Sequence, residues 1–425
     1  MYIFFVVIFT LFSLNTQAEQ LKVDVAAAGA ILINADTGAV LFEKEPHLRL
    51  YPASTTKIAT LLYALERKSE GLDDRVVASA NSLKIVQASH RQAVDSTHPS
   101  YRLEPEGTHM SLRVGEELSF RTLLYGLMLR SGNDAANVIA EYLSGNIPQF
   151  VQELNLFVAS LGLTETKFSN PHGLFHLGHY TTAHDMAKLT QIALKNSMFR
   201  EIVKTVHYPR HKTNKQEESV MTQGNRILKP GRNYYAKAIG VKTGYTFRSG
   251  NTFVAAAVHE GRTLIAVLFQ APKADNNFQD AIKLFELAFS QNKIERTLFA
   301  KGYDRFSLPI HGSKDPLSAI LQEDLSVEYY PAEEPICNMR IHWNDALALP
   351  ISKGDCVGEL RLVTDDDKLL RSVPLFAANT LEKTLSVRTF EFLSSPLLKG
   401  LYLFLIIIIA LVFMLFRKAL RPNKN

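Results

Sequence analysis

Only two cysteines and one tryptophan occur in 425 residues. So few cysteines exclude a disulfide-framed scaffold, and the absence of further cysteines argues against zinc. No metal and no cofactor are expected. The excess of one charge sign over the other is small as well. The formal net charge is +5, and Arg417, Lys418, Arg421 and Lys424 supply part of it within the last nine residues, so no nucleic acid partner is indicated. With 46% hydrophobic and 21% charged residues, the composition is that of a folded chain, long enough for two or three domains.

Long apolar runs are confined to the two ends. Ile3 to Leu14 is too short to span a bilayer, and Thr16 and Ala18 behind it suit cleavage after Ala18. Residues 1–18 read as a secretory signal, although no Lys or Arg precedes the run. Leu401 to Phe416 carries no charge, and with Leu397 and Leu398 it approaches the roughly 20 residues that a membrane helix requires. The cations beyond it place the tail, 417–425, in the cytoplasm and everything before Ser395 outside. In an exporting chain Cys337 and Cys356, on neighbouring strand-like runs, form either a bridge or two buried free thiols.

Between these ends, period and punctuation define two domains. A hairpin is expected from Ala30 to Phe42 about Asp36-Thr-Gly38, and helices at Ile58–Leu65, Leu118–Leu129, Ala135–Leu143, Phe150–Leu161 and Ala183–Leu194. Strands follow at Ala238–Val241, Thr252–Val258 and Thr263–Phe269, then a helix from Phe278 to Phe289. Strands at both ends with helices between imply one sheet assembled from distant parts of the chain. Residues 19–293 are taken as this mixed domain, 294–379 as a second domain of short strands only, and 380–396 as a linker to the helix at 397–416. Lys204 to Lys242 holds nine Lys or Arg against two Glu. That stretch is either a solvated basic face or an attractor for an anionic polymer.

Three motifs carry the chemistry: Ser54-Thr-Thr-Lys57, Ser131-Gly-Asn133 and Lys242-Thr-Gly244. Each alone is weak. Ser290-Gln-Asn-Lys293 also fits the first, and Ser-Gly-Asn recurs at Ser144 and Ser249, where it reads as a helix stop and a turn. Order, spacing and element type distinguish the three. Ser54 at a helix start is a nucleophile whose own N–H is left unsatisfied by the helix. Lys57 lies one turn on, on the same face, and a nearby cation such as Lys242 lowers its affinity for a proton, so that it accepts one from Ser54. Lys242 also attracts a terminal carboxylate, which Thr243 assists. Asn133 suits a substrate backbone amide, and Ser131 can relay a proton to a leaving amine.

With Pro52-Ala-Ser54, Ser131-Gly-Asn-Asp134-Ala135, Asn170-Pro-His172-Gly-Leu174, Tyr180-Thr-Thr-Ala-His-Asp185 and Gly240-Val-Lys-Thr-Gly-Tyr245-Thr246, the chain resembles low-molecular-weight penicillin-binding proteins of the D-alanyl-D-alanine carboxypeptidase type, from about Ala30 to Ala378. The resemblance implies an α/β (α+β) serine β-lactamase/transpeptidase-like domain whose central antiparallel sheet is flanked by helices, with a small all-β domain and a single membrane anchor. It implies a Ser54 acyl-enzyme, an oxyanion hole from the backbone N–H groups of Ser54 and Tyr245 beside Gly244, peptidoglycan pentapeptide as substrate, and β-lactams as covalent inhibitors in cell-wall biogenesis. Many members carry an arginine between the last strand and last helix; here Gln270 to Gln279 holds only Lys273, and Arg248 is either a substitute or an exposed turn residue. A D,D-endopeptidase would use the same residues, and a noncatalytic β-lactam sensor would stay acylated. A β-lactamase lacks support, since Glu153-Leu-Asn155 has the wrong spacing for the water-placing motif. His172 is assigned to a structural turn.

Overall fold

The computed structural model describes residues 19–86, 98–364 and 367–419. The expected signal at 1–18 and the chain from residue 420 lie outside the described residues. Two compact units divide the chain. One comprises residues 17–292 with 330–334, and the other includes 293–329 and 335–425.

The sheet of the first unit explains why its strands read as nearly unbroken apolar runs. Strands β1 (Gly29–Asn34), β2 (Val40–Lys44), β7 (Ala238–Thr246), β8 (Gly250–His259) and β9 (Arg262–Ala271) pair antiparallel in the order β2-β1-β9-β8-β7. Side chains alternate between the two faces, and both faces are covered. Ile31, Ile33, Val254, Ala256, Ile265 and Val267 meet one core, whereas Ala30, Leu32, Phe253, Ala255, Leu264 and Leu268 meet another. The first core is closed by α1 (Lys57–Arg67), α2 (Phe120–Leu129), α3 (Asn133–Ser144), α4 (Ile147–Ser160), α5 (Ala183–Ala193) and α6 (Ser197–Lys204); the second by α7 (Ala274–Phe289). Two further hairpins, β3 (Arg75–Val77) with β4 (Glu117–Ser119) and β5 (His207–Arg210) with β6 (Ser219–Thr222), stand apart from the main sheet.

The helices begin where their caps place them. Side chains of Ser119, Asn146, Thr182 and Asn196 accept N–H bonds at the starts of α2, α4, α5 and α6. Gly145, left-handed at φ 76°, ends α3, as the Ser144 motif suggests. Two expectations need correction. The strand expected at Ala238–Val241 does not end there but continues as β7 to Thr246, so Lys242-Thr-Gly244 lies within an edge strand. Helix α6 and the β5–β6 hairpin were not anticipated, because each is short and the hairpin buries few of its side chains.

The second unit is all-β with helices at its C-terminal end. Strands β11 (Phe306–Leu308), β12 (Leu317–Leu321), β14 (Cys337–Trp343), β15 (Cys356–Thr364) and β16 (Leu369–Ala377) form a sheet in the order β11-β12-β16-β15-β14, beside a pair of β10 (Ile294–Phe299) and β13 (Leu325–Tyr329). Leu317, Leu321, Leu360, Leu362, Val373 and Leu375 fill its core. After α8 (Leu385–Leu393), which occupies most of the expected linker, α9 (Pro396–Ala419) includes an apolar span from Pro396 to Leu415 long enough to cross a membrane.

The two cysteines are not joined in a disulfide, Cys356 being exposed and Cys337 partly so, which corrects the expectation of a bridge or of two buried thiols. Register explains it. Cys337 faces Thr364 and Trp343 faces Gly358, so the two thiols sit at opposite ends of one hairpin, roughly 25 Å apart at the ordinary strand rise and far beyond disulfide reach. Alkylation of the unreduced protein followed by peptide mapping is expected to find both thiols modified; a peptide pair joined through Cys337 and Cys356 would contradict this register.

Candidate active site

Ser54 lies in a 3-10 turn, Ala53–Thr56, immediately before α1. The turn is strained at its first residue, since Ala53 has φ 49°, a region costing a non-glycine residue about 1–3 kcal/mol. Hydrogen bonds from three directions hold it. Thr56 Oγ1 donates to the Ala53 carbonyl at 2.9 Å and accepts from His179 Nε2 at 2.8 Å, while His179 Nδ1 accepts from the Ser169 N–H at 3.0 Å. Burial pushes the His179 pKa down to about 3, so the ring is neutral and this single tautomer satisfies both nitrogens. Thr55 and Thr252 both donate to the Pro52 carbonyl, at 2.7 and 2.9 Å.

Lys57 is fully buried and its Nζ touches three oxygens: Ser54 Oγ at 3.0 Å, Asn133 Oδ1 at 2.7 Å and the His172 carbonyl at 2.7 Å. Desolvation, then the charge of Lys242, pushes its pKa well below the ordinary lysine value, against the opposing pull of Asp134. A neutral amine has two hydrogens and one lone pair. Asn133 Oδ1 and the His172 carbonyl can only accept, so both hydrogens go to them and the lone pair is left for the Ser54 hydroxyl.

Asn133 opens α3, and the loop before it turns at Ser131, φ 54°. Buried Asp134 fastens this loop to the preceding chain: Oδ1 accepts from the Met110 and Ala135 N–H groups, both at 2.9 Å, and Oδ2 from Leu112 at 3.0 Å. Thr108 Oγ1 donates to the Ser131 carbonyl at 2.6 Å. Facing them is β7, an edge strand with one side of its backbone unpaired within the sheet. A Cβ on Gly244 would lie 2.8 Å from the Ser54 nitrogen and 2.5 Å from Thr252 Oγ1, so only glycine lets this strand approach the nucleophile. Lys242 is buried, which pushes its pKa down to about 7. Ser54, Ser131, Asn133, Lys242, Thr243, Gly244 and Tyr245 thus line one cleft of about 630 Å³, with Lys57 bonded to Ser54 behind it. Tyr245 is exposed.

Several contributors escaped the sequence reading. His172 does sit in a turn, yet its carbonyl is a partner of Lys57, and its buried ring is held by Tyr101 and Leu174. Arg226 lines the cleft, paired with Asp275 at 2.7 Å and 4.9 Å from the Phe278 ring centre. Arg248 lies outside this cleft, exposed in the turn after β7 and over the Phe175 ring. Only the Asn170-Pro-His172-Gly motif offered a signal for any of these. Gly173 supplies the tightest test of the arrangement. It has φ 95°, and a Cβ there would fall 1.8 Å from the Ala53 carbonyl oxygen. Gly173→Ala is expected to cost about 3–5 kcal/mol in denaturant unfolding; a loss below about 1 kcal/mol would mean that the turn at Ser54 is not clamped from this side.

Comparisons with known proteins agree with this geometry. The family described as D-alanyl-D-alanine carboxypeptidase matches residues 15–273, and the penicillin-binding protein 5 C-terminal domain matches residues 295–383. D-alanyl-D-alanine carboxypeptidase DacF of Bacillus subtilis (strain 168) is 31% identical over 363 residues, spanning 84% of this chain and 86% of that protein. Among solved structures, the Streptomyces K15 DD-transpeptidase superposes with TM-score 0.55 at 29% identity over 64% of this chain and 99% of its own. Penicillin binding protein 5 from Haemophilus influenzae shares the fold at TM-score 0.57 and 23% identity, over 85% and 99% of the two chains. The chain belongs to the D-alanyl-D-alanine carboxypeptidase family, with a penicillin-binding protein 5 C-terminal domain following in the sequence.

Proposed function

We propose that this protein is a serine D-alanyl-D-alanine carboxypeptidase that removes the terminal D-Ala from peptidoglycan pentapeptide stems through an ester on Ser54. The observation that carries this reading is the contact of Lys57 Nζ with Ser54 Oγ at 3.0 Å while two carbonyls occupy its hydrogens. Ser54 Oγ attacks the carbonyl of the penultimate D-Ala and gives its proton to Lys57. The N–H groups of Ser54 and Tyr245 hold the oxyanion, a class of interaction worth about 3–4 kcal/mol of barrier per donor. Ser131 relays a proton to the departing D-Ala amine, and water then hydrolyses the ester. Asn133 steadies the substrate backbone. Lys242 and Thr243 hold the terminal carboxylate, and Arg226, which lines this cleft together with Arg130, takes the part of the missing family arginine.

A β-lactam presents a strained amide in place of the scissile bond and acylates the same serine. Helix α9 anchors the enzyme, with the catalytic domain on the external face of the membrane, the tail 417–425 in the cytoplasm and residues 1–18 removed on export. We take the functional divisions as 19–293 for catalysis, 294–379 for a stalk and 380–396 for the linker.

Mass spectrometry of purified muropeptides after incubation with the detergent-solubilised protein tests the assignment. Monomeric pentapeptides are expected to lose one alanine, and Ser54→Ala to lower that rate about 10⁴-fold or more. Cleavage of cross-linked dimers instead would make the enzyme an endopeptidase, and stable acylation without turnover would make it a sensor.

The pH profile tests the two lysines separately. Lys242, with its pKa pushed to about 7, is cationic below that pH and neutral above it, whereas Lys57 must be neutral to accept a proton. For a substrate with a free terminal carboxylate, kcat/KM is expected to fall as pH rises through the Lys242 value. Lys242→Arg is expected to carry that alkaline limb upward; an unmoved limb would detach it from Lys242.

A further inference from the structure

The basic stretch between Lys204 and Lys242 is only partly used by the acyl-transfer site. Its hairpin β5–β6 walls a second cavity, of about 700 Å³, against Met110, Ser111 and Arg113. Hydrogen bonds fix that wall. Gln216 Nε2 donates to the Ser111 carbonyl at 2.8 Å and to Glu116 Oε2 at 2.7 Å, Thr213 Oγ1 donates to Glu116 Oε1 at 2.9 Å, and Arg113 Nη1 donates to the Lys215 carbonyl at 2.9 Å. The buried Glu116 is thereby committed to holding the hairpin.

Five cations line the cavity: Arg113, Arg130, Arg210, Lys212 and Lys215. The one acidic lining residue, Glu217, is paired with Lys212 at 2.7 Å. Arg210 is the unusual member. It is only 7% exposed, its Nη1 donates to the Met110 carbonyl at 3.2 Å, and its buried Nε has no hydrogen-bond partner. Among the described residues no carboxylate pairs with it. An interior guanidinium without a counter-ion is costly to maintain, and this one lines a polar cavity in which an anion would offset its charge. Arg130 lines both this cavity and the catalytic cleft, so the two are neighbours along one surface.

We propose that this cavity is an anion subsite that takes a free carboxylate on the acyl side of the substrate peptide, upstream of the scissile D-Ala–D-Ala bond, with Arg210 as its buried anchor. The proposal rests on the carboxypeptidase reading of the cleft, which shares Arg130 in its lining with this cavity. A guanidinium reads a carboxylate through paired N–H donors, whereas the exposed Arg113, Lys212 and Lys215 contribute a field that salt screens.

The test compares two synthetic peptides ending in D-Ala-D-Ala, one with free upstream carboxylates and one with those carboxylates amidated, using the full chain in detergent. The wild type is expected to favour the acidic peptide in kcat/KM by about tenfold, and Arg210→Gln to abolish that preference while turning over the amidated peptide within about twofold of wild type. Arg210→Lys should restore part of the preference, and Lys215→Gln, at an exposed position, should weaken it mainly at low salt. No preference in the wild type, or an equal loss on both peptides in Arg210→Gln, would overturn the subsite. If neither peptide is turned over, the carboxypeptidase reading fails by itself; equilibrium binding of the acidic peptide then decides the subsite, and equal affinity of wild type and Arg210→Gln overturns it. A polyphosphate chain that displaces the acidic peptide at much lower concentration than the free peptide does would also overturn it, in favour of a wall polymer as the occupant.

Discussion

A fully buried lysine amine with three oxygen neighbours and, among the described residues, no carboxylate bonded to it is the constraint around which the catalytic unit is arranged. Ionised, such a group carries the full cost of leaving water. Neutral, it divides its two hydrogens and lone pair among partners of matching type, and the sole partner with a proton to give is Ser54. Each partner arrives on a different element. Ser54 comes on the turn before α1, Asn133 on the first residue of α3, and the His172 carbonyl from the loop between α4 and α5. The position of one nitrogen therefore depends on three parts of the chain packing correctly against one core.

The surroundings spend stability to hold that position. Ala53 and Ser131 both have left-handed backbone without being glycine, the first next to Ser54 in the chain and the second itself lining the cleft. Strain of this kind persists only where neighbours over-determine the geometry. The His179–Thr56–Ala53 chain does so on one side and Asp134, with its three backbone donors, on the other. Gly173 and Gly244 allow two further strands of backbone to close on Ser54 at distances that no side chain would permit. The sheet supplies the stiffness behind them, since β7 is its edge and β8 and β9 are packed on both faces.

Much of this was legible in the sequence because it is local. Apolar periodicity located α1 to α5, α7 and the main strands, and the three motifs carried their own order and spacing. What escaped was tertiary. Arg226 looks like any surface arginine until the fold sets it against Phe278 and in the same cleft as Thr243, and a carbonyl such as that of His172 has no signature in residue type at all. The hairpin β5–β6 contains Pro209 and buries little beyond Arg210 and Met221, so neither alternation nor hydrophobicity announced it. The two cysteines show the converse. Proximity of their strands was readable, but register, which separates them by most of a strand, was not.

The account stands on Lys57 being an amine and not an ammonium in the resting protein. Its titration can be followed directly by NMR of protein carrying isotope-labelled lysine, with Lys57→Arg used to assign the signal. The predicted result is a Lys57 resonance that titrates far below the ordinary lysine value of 10.5 and is perturbed when Ser54 is acylated. A Lys57 signal that stays protonated up to that value would contradict the account, because the amine would then have no lone pair with which to receive the serine proton.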